Sequence, residues 1–223
     1  MTVTPQTKSP SRAAAQPSAS ARVVREIVRG LYEGDYVPGQ RLAEPELMQQ
    51  FGVSRSTVRE SIRRMESEGI VDVLPHRGAV IRRLTVEEAI DALLVMEICV
   101  GLAARQAAER IDTPGSRERF DGAWRELLEF RNRGDGYDFV KARNKFYRTI
   151  TRISCNRELQ RIVPTIHVHL LRREYSLSPE TRFEDYARIA DAILAGKGSI
   201  AEAAARGHIA KTALLVRQRA RPT

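Results

Sequence analysis

The chain has little of what several protein classes depend on. Two cysteines, Cys99 and Cys155, occur in 223 residues and show no C-x-x-C spacing, which excludes a disulfide scaffold and a zinc finger. Aromatic residues are 6% of the chain and charged residues 29%, a balance that favours helices with charged outer faces over aromatic-rich sheets. No uncharged apolar run approaches the length of a membrane span, about 18 residues. There are four histidines, and no Gly-rich phosphate loop, H-E-x-x-H, G-x-S-x-G or nucleophile beside an identifiable base. Those absences argue against an enzyme, so neither a catalytic residue nor a cofactor is assigned.

What the chain does have is arginine. It supplies 32 of the 37 basic residues, and the formal charge is +9. A rigid fork of donors suits phosphate, carboxylate and guanine edges. Net charge alone favours encounter with a polyanion without saying which one. Position has to decide.

Residues 1–20 carry Ser, Thr, Pro, Gln and Ala with no hydrophobic period, and read as a disordered arm without the apolar stretch of a secretory signal. From about Ala21, Val24, Ile27 and Leu31 mark an amphipathic helix that stops before Gly34. A second helix is expected over 44–51, with Pro45 in its first turn, and a third over about 55–68, capped by Ser54. Val71 and Val73, the turn Pro75-His76-Arg77-Gly78, and Ala79-Val80-Ile81 suggest a small hairpin.

On the third helix, Val58, Ile62 and Met65 line one side. Arg55, Arg59 and Arg63, at i,i+4 spacing, form an outer ridge whose mutual repulsion a phosphate backbone would relieve. A helix, a turn and an exposed basic helix make a helix-turn-helix, which enters the major groove with the N-terminus of its recognition helix. Arg55 and Arg59 are the candidates for base edges or flanking phosphates, and Ser54 and Ser56 for phosphate. His76, Arg77 and Gly78 would sit at the tip of a wing.

Beyond about Leu84 the chain is helix-like, with helices expected near 86–109, 115–131, 137–154, 157–175, 183–195 and 199–218. Pro164 should kink or split the fourth of these. Six helices suggest a bundle with its own core. The expected fold is mainly α, with an arm at 1–20, a winged helix-turn-helix DNA-binding domain over 21–83 and an all-helical domain over 84–219. Trp124, Phe120 and Leu127 share a stripe expected to pack, Cys99 and Cys155 read as packing residues, and His167, His169 and the Arg172-Arg173 pair as core or surface residues.

The text Pro38-Gly39-Gln40-Arg41-Leu42, Glu46-Leu47 and FGVSRSTVRESIRRMESEGIVDVLPHRGAVI over 51–81 resembles the GntR-type winged-helix transcription regulators. The resemblance implies operator contacts at the positions matching Arg55, Arg59 and Gly78, with Arg41 near the start of the second helix. Where members often carry a basic residue, this chain has Pro45. The remainder is similar to the FadR-like, FCD-type ligand-sensing domain, in Met96-Glu97 through Arg110, Phe146-Tyr147, Ser154-Cys155-Asn156, Asp185-Tyr186 and His208.

Such domains are antiparallel bundles that form homodimers and hold a small organic acid or similar effector, many through a metal bound by one Asp and three His. Here Arg143, Tyr147 and Tyr186 stand at three of those four positions and only His208 remains, so no metal is expected. An inward Arg143 needs a compensating charge. This is either a bound anion, with Tyr147, Tyr186 and His208 supplying hydrogen bonds, or an internal ion pair, for instance to Glu97. The resemblance implies a cytoplasmic homodimer on double-stranded operator DNA, most often a repressor, responding to a small anionic metabolite. Two modules would bind half-sites about one helical turn apart or less. The alternatives are an activator, or a constitutive dimeric DNA scaffold whose helical domain senses nothing.

Overall fold

The computed structural model describes residues 18–133, 136–163 and 175–219. The first helix, α1 (Ala19–Glu33), begins two residues before Ala21, because the Ser18 hydroxyl accepts from the Ala21 amide and caps it. The last residues of the expected arm are therefore helical. After β1 (Arg41–Leu42) comes α2 (Glu44–Phe51), which ends at Gly52. That residue adopts φ 61°, ψ 42°, a left-handed conformation that glycine takes without the steric cost a Cβ imposes. The sharp turn it allows leads to Ser54, whose hydroxyl accepts from the Thr57 amide and caps α3 (Arg55–Ser67).

The hairpin of β2 (Val71–Leu74) and β3 (Gly78–Ile81) gains a third member. β1 pairs antiparallel with β3, and the strand order is β1-β3-β2. Two residues cannot display a period of two, so nothing along the chain marks β1. Arg41, expected near the start of the second helix, lies in this strand opposite Val80, while Leu42 pairs with Ala79. One core holds the module together. Ile27, Leu47, Val58, Met65 and Ile81 are fully or almost fully buried within it.

In the helical unit α4 (Val86–Glu109) matches the expected range, because a capping box between Thr85 and Glu88 fixes its start. It is followed by α5 (Ser116–Leu128), α6 (Tyr137–Ile153), α7 (Arg157–Ile162), α8 (Pro179–Leu194) and α9 (Gly198–Arg219). The most extensive helix contact is between α4 and α9. Ala103, Ala104 and Ala107 on one side and Ala201 and Ala205 on the other are completely buried, and such short side chains let two helices lie close. Phe120, Trp124 and Leu127 pack in the bundle core with Phe139, Phe146 and Tyr186.

Two expectations are corrected. The helix expected over 183–195 starts earlier, at Pro179, with Ser178 as cap and Pro179 in the first turn. Cys155 does not pack: it is exposed, at φ 54°, just past the end of α6, whereas Cys99 lies against the bundle core. Of the helix expected over 157–175, α7 is the described part. Pro164, His167, His169, Arg172 and Arg173 lie outside the described residues.

Candidate functional site

α3 and the end of α2 are anchored from behind. Ser20 donates to Glu60 at 2.7 Å, Ser61 donates to the Ser20 carbonyl at 3.3 Å, and Arg22 donates to the Phe51 carbonyl at 3.1 Å. With Val58, Ile62 and Met65 turned into the core, Arg55, Arg59 and Arg63 are left on the exposed side. The side chains of Arg55 and Arg59 are 63% and 55% exposed, and both lean on Glu44 of α2, at 3.8 Å and 3.0 Å. Arg59 Nε reaches both Glu44 carboxylate oxygens. Ser54 and Ser56 share a hydrogen bond of 2.8 Å at the helix start, where free backbone amides favour a phosphate.

The wing tip is exposed throughout. Its turn is closed by Arg77 N–H donating to the Leu74 carbonyl, with His76 and Gly78 both at positive φ. Nothing lies within 4 Å of a Cβ built on Gly78, so the surface there is open. Glu44 is the residue of this face that the pattern along the chain does not flag. Its partners follow it by more than ten residues, across the turn.

The second site is a cavity of about 580 Å³ in the helical unit. Arg143, Arg148, Arg152 and Arg182 line it, and no Asp or Glu is among its described lining residues. Arg148 and Arg152 are exposed, whereas Arg143 and Arg182 are 8% and 3% exposed. Arg182 donates to Ser176 at 3.2 Å and stands over the Phe139 ring. Arg143 donates through Nη2 to Asn144 at 2.7 Å, but its Nε and the hydroxyl of Tyr147 are buried without a hydrogen-bond partner among the described residues. Burial, followed by the proximity of Tyr186, pushes the Tyr147 phenol well above its ordinary range, so it stays protonated and can donate. Leaving such a donor unmade costs about 1–3 kcal/mol.

The ion pair expected as one alternative, Arg143 with Glu97, does not form. Glu97 is engaged by Arg206 at 3.0 Å. Tyr147 and His208 line the cavity, whereas Tyr186 is completely buried and stands behind it, with its ring centroid 4.9 Å from that of His208 and 6.2 Å from that of Tyr147.

His208 Nδ1 faces Asp185 Oδ2 at 3.2 Å, and Lys211 and Arg188 reach the other oxygen at 2.5 and 3.3 Å. Burial depresses the His208 pKa below its ordinary 6.5 by more than Asp185 raises it, and Arg143 and Lys211 add to the depression. The ring is therefore neutral at pH 7. To hydrogen-bond a carboxylate it must carry its proton on Nδ1, which leaves Nε2 an acceptor only. With its Nδ1 proton committed to Asp185, the neutral ring offers Nε2 as an acceptor. A ligand that meets Nε2 has to bring its own donor.

Burial pushes the Asp185 carboxyl up, but hydrogen bonds from His208 and Lys211 outweigh it and leave the group below its ordinary 3.8. Both groups bind fewer protons folded than unfolded. Their contribution to stability is present above the ordinary values and is lost as pH falls through the folded ones. The melting temperature is expected to drop as pH is lowered from 6.5, and His208→Gln to flatten the first part of that drop. Thermal unfolding in a buffer series checks this. An equally steep profile in the variant would assign the drop to other groups.

The residues present do not fit the divalent metal that many FCD-type domains hold. A buried guanidinium and two phenols replace its ligands, and Asp185 is already held by three cationic or N–H partners. Among the described residues no cluster of three or more His, Cys, Asp or Glu occurs. For Arg182 and Asp185 a signal did exist. With Tyr186, Ile189 and Ile193 they share the inward stripe of α8, and a charge in an apolar stripe marks a site or a buried pair. Arg148 and Arg152 gave none, since they flank the inward face of α6.

Residues 19–81 match the model of the bacterial regulatory proteins of the gntR family, and residues 91–211, more than half the chain, match the FCD domain. A probable D-xylose utilization operon transcriptional repressor from Paenarthrobacter nicotinovorans is 27% identical over 188 residues, 82% of each chain. The HTH-type transcriptional regulator LutR of Bacillus subtilis is 26% identical over 203 residues, covering 79% of this chain and 91% of its own. Escherichia coli McbR/YncC shares the fold with a TM-score of 0.75 at 18% identity, over 92% of this chain and all of that one. Among the described residues no helix is long and apolar enough to cross a membrane. With a capped basic helix, a wing and a cationic cavity in a helical bundle, the chain belongs to the gntR family of bacterial regulatory proteins: it is a DNA-binding transcriptional regulator with an FCD domain, and not an enzyme.

Proposed function

We propose that this chain is a homodimeric repressor, working in the cytoplasm, whose hold on double-stranded operator DNA is set by a small anionic, organic-acid-like effector. Residues 21–83 would read the operator through Arg41, Ser54, Arg55, Ser56, Arg59, Arg63, His76, Arg77 and Gly78. Residues 84–219 would pair the subunits and hold the effector. The carrying observation is Arg143. It is buried, has a donor without a partner among the described residues, and lines a cavity with three other arginines and no carboxylate among the described lining residues. A guanidinium in that setting is stabilised by an anion. Tyr147 would donate to the same anion, Tyr186 would hold Tyr147 and His208 in place, and Nε2 of His208 would accept from a hydroxyl or amine of the ligand.

Dimer formation is supported by an apolar stripe on α4. Leu94, Val95, Ile98 and Leu102 are between 36% and 54% exposed, and a row of large apolar residues facing water marks an interaction surface. Ile98→Asp is expected to shift the protein from dimer to monomer in sedimentation velocity. A native protein that sediments as a monomer would remove this part of the reading.

The effector is tested with duplexes selected from a random pool by the full-length protein. Gel-shift titration at one salt concentration, with and without small carboxylates and phosphates, should show the selected duplex released by at least one anion. The salt is held constant because phosphate contacts make affinity steeply salt-dependent. Unchanged affinity across the panel would leave a DNA-binding dimer that senses nothing.

A further inference from the structure

We propose that the effector cavity is closed by the DNA-reading module itself: Tyr32, at the end of α1, donates a hydrogen bond to the anion held by Arg143, so that anion binding and docking of the reading head are one equilibrium. The proposal rests on the effector reading above and adds to it the route by which the ligand reaches the DNA.

Among the described residues lining the cavity, Tyr32 is the one contributed by the DNA-reading module. It packs against the core of the helical unit, where α1 meets α6. Its ring lies 6.4 Å from that of Tyr137, and the Arg29 guanidinium stands 5.5 Å from the Tyr137 centroid, so the end of α1 is fixed on α6 by aromatic and cation–π contacts. A second crevice, of about 530 Å³, runs between α1 and the α5–α6 pair, and Tyr32, Asn144, Arg148 and Arg152 line both volumes. They are the wall between effector site and module junction.

A polar relay crosses that wall. Arg143 donates to Asn144, and Arg143 and Asn144 both interact with the Tyr32 hydroxyl, opposing the burial that keeps the phenol protonated. An anion that draws the Arg143 guanidinium enters the same relay and finds the phenol as a donor. A ligand shifts a conformational equilibrium only by binding one arrangement better than the other. A donor carried by α1 supplies that difference, because it is in reach only while the head is docked.

The test uses the full-length protein and its Tyr32→Phe variant, which keeps the ring and removes the hydroxyl. Citrate and inorganic phosphate are the probes, read by calorimetry and by the fluorescence of Trp124, the single tryptophan, which contacts Phe146 at a centroid distance of 5.8 Å. We expect anion affinity to fall about tenfold, as for a donor lost to a charged acceptor. The anion's effect on affinity for the selected duplex should fall with it, since the two couplings are reciprocal. The melting temperature without anion should fall only slightly, because the ring packing is kept and only the hydroxyl's contacts to Arg143 and Asn144 are lost; a large fall would mark a loss of packing. Native affinity in Tyr32→Phe overturns the proposal, and so does weakened affinity with the DNA response intact. If the native protein binds neither probe, the effector reading itself falls and takes this proposal with it.

Discussion

Arg143→Met is expected to abolish the response to anions while making the anion-free protein more stable. Met fills a volume similar to the stem of Arg and brings no charge. In the native chain the guanidinium is 8% exposed, with Nε unpartnered among the described residues and Glu97 committed to Arg206. Replacing a buried, imperfectly compensated charge by a packed apolar side chain is often stabilising, by about 1–4 kcal/mol. Truncating one partner of a buried charged pair costs about 2–5 kcal/mol of binding, which is about 30-fold or more in Kd. The two effects have opposite signs, and that combination marks a residue kept for a ligand rather than for the fold. Calorimetry and thermal unfolding on the same preparation decide it. Native anion affinity in the variant, or a melting temperature that collapses, would show Arg143 to be a structural residue.

Arg59→Ala is expected to weaken binding to the selected duplex by about 5- to 150-fold, the range of a well-formed bidentate contact to a base. Arg59 is the better held of the two arginines on Glu44, at 3.0 Å against 3.8 Å for Arg55, so less side-chain entropy is lost when it docks. The character of the loss separates its possible partners. If Arg59 reads a base, discrimination at one operator position relaxes and the salt slope is kept. If it holds a phosphate, all sequences weaken alike and the slope falls by about one. Glu44→Gln should strengthen non-specific binding, because it removes a negative charge beside the ridge while leaving the arginines in place. Native duplex affinity in Arg59→Ala would remove α3 from the interface.

The DNA-reading half was legible because its signals are local. Ser54 caps α3 from the next residue, Gly52 makes the turn from its own φ, and Val58, Ile62 and Met65 orient the helix by period alone. The structure closes the start of α4 with a local capping box at Thr85, in agreement with the range expected for that helix. Where a signal depended on a distant partner, it failed. β1 exists because Leu42 meets Ala79. Ser178-Pro179 suits a break as well as a helix start, and only the packing of α8 decides between them.

The helical half was legible only as a set of unusual residues. Sequence placed Arg143 on an apolar face but left its partner open between an anion and Glu97, since charges that compensate each other come from different helices. By itself the sequence determined the helix-turn-helix, the wing and the arginine ridge, because caps, turns and helical period act over a few residues. Tertiary structure alone decided that Glu97 goes to Arg206, that Asp185 orients His208, that four arginines surround one cavity, and that Tyr32 reaches it from the other module. Each of these joins side chains from separate elements, and no spacing along the chain encodes a meeting of that kind.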